Sequence, residues 1–252
     1  MSSEMLELGG TSRQAMAAAR TSLDLALKGK SDSEIAKFAA DLFTALEALD
    51  SSTPLRRAIT DASRDAKDRA KLVSDVFSKG APSVTNFIGE LTQLKWSAPT
   101  DLVDTLEQLA VEAEASAANV SGDLDRLEEE LFAFSRIVSS DSELRQALSS
   151  STYSAEGKRV LAAKIFGGKV APATGRVLGH LVGGLRGRNL EATINFYIKA
   201  TAARRNRLIA TVKSAIELSP QQREKLAATL AAKIGQPVRL NIEIDPTVIG
   251  GI

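Results

Sequence analysis

One pattern of core-type residues occurs twice along this chain, 89 positions apart, and it constrains the fold more than any other feature. The stretch LFTALEALDSSTPLRRAI from Leu42 resembles LFAFSRIVSSDSELRQAL from Leu131. Leu42, Phe43, Leu55, Arg56, Ala58, Leu72 and Phe77 find identical residues at Leu131, Phe132, Leu144, Arg145, Ala147, Leu161 and Phe166. With Ser51 and Ala66 included, 9 of 36 aligned positions are identical. Ala81-Pro82 and Ala171-Pro172 then match one position out of step, as if a residue were inserted near Gly167-Gly168. Composition alone produces Leu and Ala matches, but not this ordered series ending in Ala-Pro. The period exceeds the roughly 20–50 residues of solenoid repeats, so it predicts duplication of a whole helical domain. The first copy spans about residues 11–105 and the second about 103–206.

Local signals fill these units with helices. Thr11 to Lys30 is Ala-rich, with Met16, Ala19, Leu23, Leu25 and Leu27 as its apolar positions. Ser31 and Glu34 form a capping box, predicting a helix over about 33–49. Thr53-Pro54 marks another start, with further helical patterns over about 65–78 and 83–95. The acidic run from Asp101 to Phe132 has no Pro and reads as long helix, with Ser121-Gly122 its weak point. Aromatics are only 4% of residues, which favours helices packed through small and aliphatic side chains over a β-sandwich.

From Arg207 the texture changes. RLIATVKSAIEL, ending at Leu218, is β-branched and reads as a strand. Ser219, Pro220 and Gln222 then open a helix that Gly235 stops. VRLNIEI alternates Val238, Leu240, Ile242 and Ile244 against polar residues, the pattern of a half-buried strand. The expected fold class is therefore mainly α: two successive helical bundles followed by a small C-terminal α+β unit over 207–252.

Nothing in the residues calls for catalysis. The absence of Cys excludes disulfides and thiolate metal sites, and His180 as the single His cannot build a zinc cluster. GGLRGR at 183–188 is glycine-rich and basic, yet it lacks the spacing of a phosphate loop and reads as a link between helices. The acidic residues 128–130 read as a solvated helix face. No catalytic, cofactor-binding or metal-ligating residue is assigned. No apolar run approaches the roughly 18 residues of a membrane span, and no signal-peptide profile opens the chain, so a soluble, cytosol-facing protein is expected.

Charge is distributed unevenly. Twelve acidic and three basic residues lie between Pro99 and Arg145, whereas seven basic residues and the single acid Glu191 lie between Arg186 and Lys213. Opposite faces solvating a helical body is the plainer reading. The alternative is a helical scaffold binding nucleic acid or another partner through 186–213, although aromatic interleaving is lacking.

The tail from Arg204, RRNRLIATVKSAIELSPQQREKLAATLAAKIGQPVRLNIEIDPTVIGGI, resembles the delta subunit family of F-type ATP synthases, which includes the oligomycin-sensitivity-conferring protein. The residues that carry the likeness are Ser214 and Ala215, Gly235 before Pro237-Val238, and the turn Asp245-Pro246 to Ile249-Gly250-Gly251. The resemblance extends from Thr11 to Ile252, with two bundles where an ordinary member has one, as in enlarged actinobacterial forms. It implies a non-catalytic stator subunit of a proton-transporting ATP synthase, peripheral on the cytoplasmic face of the plasma membrane and held there only through the complex. Its implied partners are the N-terminal helices of the alpha subunits and the b subunit of the peripheral stalk, with no nucleic acid and no cofactor. The second bundle is expected to take the alpha helix, through Leu178, Leu181, Leu185, Ile194 and Ile198. The family pattern continues past Gly251 into a strand, a turn and a helix, so this sequence is expected to stop short of the natural C-terminus.

Overall fold

Most helix starts in this chain are set by short polar caps or by prolines at the first or second helical position, where the missing N–H has no intrahelical partner to lose. A computed structural model of the chain describes residues 8–207, 209–234 and 238–244, which are mainly α-helical. Six helices come first: α1 (Gly10–Leu27), α2 (Asp32–Ser51), α3 (Thr53–Thr60), α4 (Ala66–Val76), α5 (Pro82–Gln93) and α6 (Pro99–Ser121). The expected box opens α2: Ser31 Oγ accepts from the Glu34 N–H, while the Glu34 carboxylate accepts from the Ser31 N–H at 2.9 Å. Pro54, Pro82 and Pro99 open α3, α5 and α6. The acidic run breaks at Gly122, whose φ of +84° lets α6 end in a left-handed cap that a side chain would strain.

Five further helices follow the same order and nearly the same lengths: α7 (Leu124–Ser140), α8 (Ser142–Ser149), α9 (Ala155–Phe166), α10 (Pro172–Gly183) and α11 (Leu190–Arg207). One pair of matching residues has matching contacts. Arg56 of α3 donates to the backbone oxygens of Leu49 and Asp50 in the last turn of α2. Arg145 of α8 donates to those of Val138 and Ser139 at the end of α7, at 3.3 and 3.1 Å. In both places a guanidinium binds carbonyls of the last helical turn, where intrahelical partners run out and the dipole favours a cation.

The two sets of helices share one hydrophobic core, continuous from Leu8 to Ala200. Its axis is α6. An amphipathic helix normally keeps a wet face, but α6 is buried on every side between Leu102 and Ala118 except at Asp104. Alanines at 110, 113, 115, 117 and 118 let α2, α11, α1 and α10 pack closely around it. Across the core, the Phe43 ring of α2 stacks on the His180 imidazole of α10, with centroids 3.7 Å apart. Leu25, read as part of the apolar face of α1, is instead 69% exposed: it lies about 200° round the helix from both Leu23 and Leu27, which are buried.

After α11 come β1 (Ile209–Ser214), α12 (Pro220–Ile234) and β2 (Arg239–Ile244). The strand is shorter than the sequence pattern suggested, because residues 215–219 turn away to start α12. The capping box forms as expected, with the Ser219 N–H donating to Gln222 Oε1 at 2.8 Å and the Gln222 N–H to Ser219 Oγ at 3.2 Å. The strands pair in parallel, Ile209 opposite Arg239 through Ser214 opposite Ile244, with α12 as the crossover.

Candidate functional site

The residues that distinguish this fold chemically are carboxylates on the wrong side of a hydrophobic helix. Glu107, Glu112 and Glu114 on α6 have no exposed surface, and a buried carboxylate persists only when paired. Each is met by arginine from a different direction. Arg20 of α1 reaches Glu112 through Nε at 2.9 Å and Nη2 at 2.6 Å, and Gln108 Nε2 adds a bond at 2.8 Å. Arg176 of α10 forks onto Glu114 at 3.1 and 2.9 Å. Arg186 and Arg188, in the turn after α10, both take Glu107, Arg186 at 2.6 Å. Arg186 also reaches Asp104 at 2.9 Å and Asp50 of α2 at 3.1 Å.

Burial and pairing pull these groups in opposite directions. Burial raises the Glu114 carboxyl above the usual carboxylate range although Arg176 opposes it, and raises Asp104 against Arg186 in the same way. Burial alone would lower Arg186, but Glu107, Asp104 and Asp50 outweigh it and hold the guanidinium firmly charged. His180, wedged against Phe43, is lowered to about 4 by burial and by the neighbouring Arg159 and Arg176, so it is neutral near pH 7.

This settles what GGLRGR does. Arg186 takes a positive φ of 51° and Gly187 one of 76°, turning both arginines of the loop inward onto carboxylates. A Cβ at Gly183 would lie 2.6 Å from the Arg159 guanidinium, which would have to move to admit it. The basic segment behaves likewise further on. Arg204, 1% exposed, donates through Nε to Ser116 Oγ at 2.6 Å and pairs with Asp24. Arg205 pairs with Asp125, at 2.8 Å, and with Glu128 of α7. Glu128 and Glu130 are correspondingly not free on a solvated face. Glu130 accepts from the Ala171 N–H at 2.9 Å, and of the three only Glu129 is exposed. Four arginines of 186–213 are thus turned to internal anions rather than outward to phosphates. Among the described residues, no group of His, Cys, Asp and Glu is placed to hold a metal ion.

Two of the concave surfaces are walled by the second set of helices and by the β-α-β unit. A groove of about 390 Å³ runs between α9 and α10, over Ala162, Phe166, Gly175, Leu178 and Gly179. A Cβ at Gly179 would meet nothing within 4 Å, whereas at Gly89, its counterpart on α5, the Ala70 Cβ lies 3.8 Å away. A second cleft, of about 480 Å³, lies between α12 and β2, walled by Ala227, Leu240, Ile242 and Ile244 with Arg223 and Glu224 at its rim.

The expected contact residues are mostly behind these surfaces. Leu181 and Ile194 lie in the core at 0% and 1% exposure; Leu178 is buried but floors the α9–α10 groove; Leu185 and Ile198 are half-buried against the core. Of the motif residues, Ser214 is buried at the end of β1 and Ala215 is half-buried just beyond it. Gly235, Asp245, Pro246, Ile249, Gly250 and Gly251 lie outside the described residues. The network around α6 escaped sequence reading, although its signal was present in the opposite charges of the two runs.

The helical body and the β-α-β unit that follows it can be set beside known families. Residues 110–252 match the family described as ATP synthase delta (OSCP) subunit. The chain belongs to this family. A protein named ATP synthase subunit delta from Streptomyces griseus is 41% identical over 246 residues, covering 97% of this chain and 90% of the relative. Relatives of the same name from Streptomyces lividans and Kineococcus radiotolerans are 38% and 37% identical, covering 98% and 96% of this chain and 90% and 88% of their own lengths. Among the described residues, no helix is long and apolar enough to cross a membrane.

Proposed function

We propose that the chain is a non-catalytic stator subunit of an F-type ATP synthase, joining the catalytic head to the peripheral stalk on the cytoplasmic face of the membrane. The observation that carries this reading is where the family match falls. It begins at residue 110, midway along α6, and runs to 252, so it takes in the second set of helices and the β-α-β unit. That division supports an ordinary family member preceded by an added helical unit, with the two units, 11–105 and 103–206, arising by duplication. The α9–α10 groove, apolar and floored by Leu178, suits the amphipathic N-terminal helix of an alpha subunit, with Leu181 and Ile194 backing the groove from the core. The α12–β2 cleft suits the end of the b subunit. Such a linker resists rotor torque while the head makes ATP coupled to proton transport, and performs no chemistry of its own.

The test is reconstitution onto a catalytic head lacking this subunit, reading rotor-coupled ATP synthesis together with capture of alpha and b. Gly179→Leu, which fills the groove, is expected to weaken alpha capture and spare b. Ile242→Asp, which puts a charge in the cleft, is expected to do the reverse. Full coupling without the chain, or capture unaffected by both variants, overturns the reading.

A further inference from the structure

The helices before residue 110 lie outside the family match, and the stator reading gives them no task of their own. Their first helix meets the joint between helical body and β-α-β unit at two points. In the last turn of α1, Asp24 accepts from Arg204, three residues before α11 ends. Because Arg204 also holds Ser116 of α6, and Arg205 beside it holds Asp125 and Glu128 of α7, the last turn of α11 is gripped by α1, α6 and α7 together. One turn further along, Lys28 Nζ donates to the backbone oxygen of Lys233 at 3.5 Å, in the last turn of α12. An ammonium at that end of a helix meets the negative pole of its dipole.

From this double attachment we infer that the first helical unit is a brace, fixing the angle between the helical body and the β-α-β unit. β1 starts two residues after α11 stops, and a short connection of that kind is where a hinge would otherwise form. Asp24 grips the helix that enters the joint, and Lys28 grips the unit beyond it. Asp24 lies on α1 and Lys28 directly follows it, and α1 is packed against α5 and α6 and so belongs to the rigid body. The brace acts within the chain and holds whichever partners the chain proves to have.

Because the chain has no cysteine, spin labels attach only where cysteines are introduced. Gln146→Cys on α8 and Ala228→Cys on α12, both exposed, give a label pair across the joint for pulsed electron–electron distance measurement on the full chain. The braced chain is expected to give one narrow distance distribution. Asp24→Asn should raise the ratio of broad to narrow populations ~10-fold, the factor lost with one charge-assisted hydrogen bond. Lys28→Glu should raise it ~3-fold through loss of the donation to Lys233 and of the favourable charge at the helix dipole, and since Lys28 is exposed the core stays intact and this variant decides the matter even if Asp24→Asn lowers helicity. Lys37→Glu on α2, remote from the joint in a local pair with Asp41, is the control and should leave the distribution unchanged. A distribution as narrow in Lys28→Glu as in the parent, or equal broadening by Lys37→Glu, overturns the inference.

Discussion

Replacing Glu107 by Gln keeps the shape of the side chain and removes one charge from the centre of the body. Both carboxylate oxygens are taken, one by Arg186 at 2.6 Å and one by Arg188, and the residue is fully buried. Two charge-assisted bonds are lost or weakened, each contributing about 1.5–3 kcal/mol. Part of that is offset. Arg186 keeps Asp104 and Asp50, and Arg188 keeps the face of the Phe196 ring 4.6 Å away and has 24% of its side chain exposed for hydration. The net loss should therefore fall at about 2–3 kcal/mol, at or just below the low end of the range for breaking a buried ion pair. Thermal unfolding followed by circular dichroism at 222 nm should show Tm lower by about 5–10 °C for a chain of this size. Glu107→Leu combined with Arg188→Met should be less destabilised than Glu107→Leu alone, because Arg186 keeps Asp104 and Asp50 and the Arg188 guanidinium is no longer left without its anion. A loss under ~0.5 kcal/mol for Glu107→Gln, or a double variant less stable than Glu107→Leu alone, would refute the argument that the unpaired guanidinium sets the cost.

Three further outcomes follow from the same geometry. His180 has a folded-state value of about 4 against an ordinary 6.5, so between those limits the unfolded chain binds the proton more readily; its contribution, ~2–3 kcal/mol, is present above pH 6.5 and lost as pH falls through 4. As the single His in the chain, it gives one imidazole Cε1–H resonance to titrate, and a midpoint near 6.5 would contradict its burial against Phe43. Gly122→Ala should cost about 1–2 kcal/mol in urea unfolding because φ is +84° there, while Gly179→Ala, in a helix with open space at Cβ, should gain about 0.5–1 kcal/mol. Arg176→Met should lower stability by about 3 kcal/mol by leaving Glu114 buried without a counter-charge; a loss that does not shrink when Glu114→Gln is added would show the two do not act as a pair.

Local signals in this chain are nearly all local in their effect, and those were readable. The Ser31 and Ser219 boxes, the prolines at helix starts and the break at Gly122 depend on neighbours within four residues, and the helices begin and end where these residues say. Arg56 and Arg145 stood out as a repeated pair, and their contacts explain why the type had to be Arg: each caps the helix before it. What escaped was decided by distance in sequence. Arg20 meets Glu112 and Arg186 meets Glu107 across 92 and 79 positions, and no window contains both partners. A glutamate on a solvated face and a glutamate waiting for a distant arginine are written identically. The same limit applies to Leu181 and Ile194, whose apolar side chains suit a docking face or a core equally well until the neighbours are in place.

The two-stranded parallel pairing of β1 and β2 has a consequence for how this protein comes apart. The helical body has a core running from Leu8 to Ala200, whereas the described part of the β-α-β unit buries Val212, Ser214, Leu218 and Val238. Stability so unevenly distributed is not lost in one step. Backbone amides of β1 and β2 should exchange with deuterated solvent by opening events that leave α6 protected, and a melting curve should carry a shallow early transition before the main one. A partner seated on the α12–β2 cleft would then announce itself by delaying the first transition while the second stays in place.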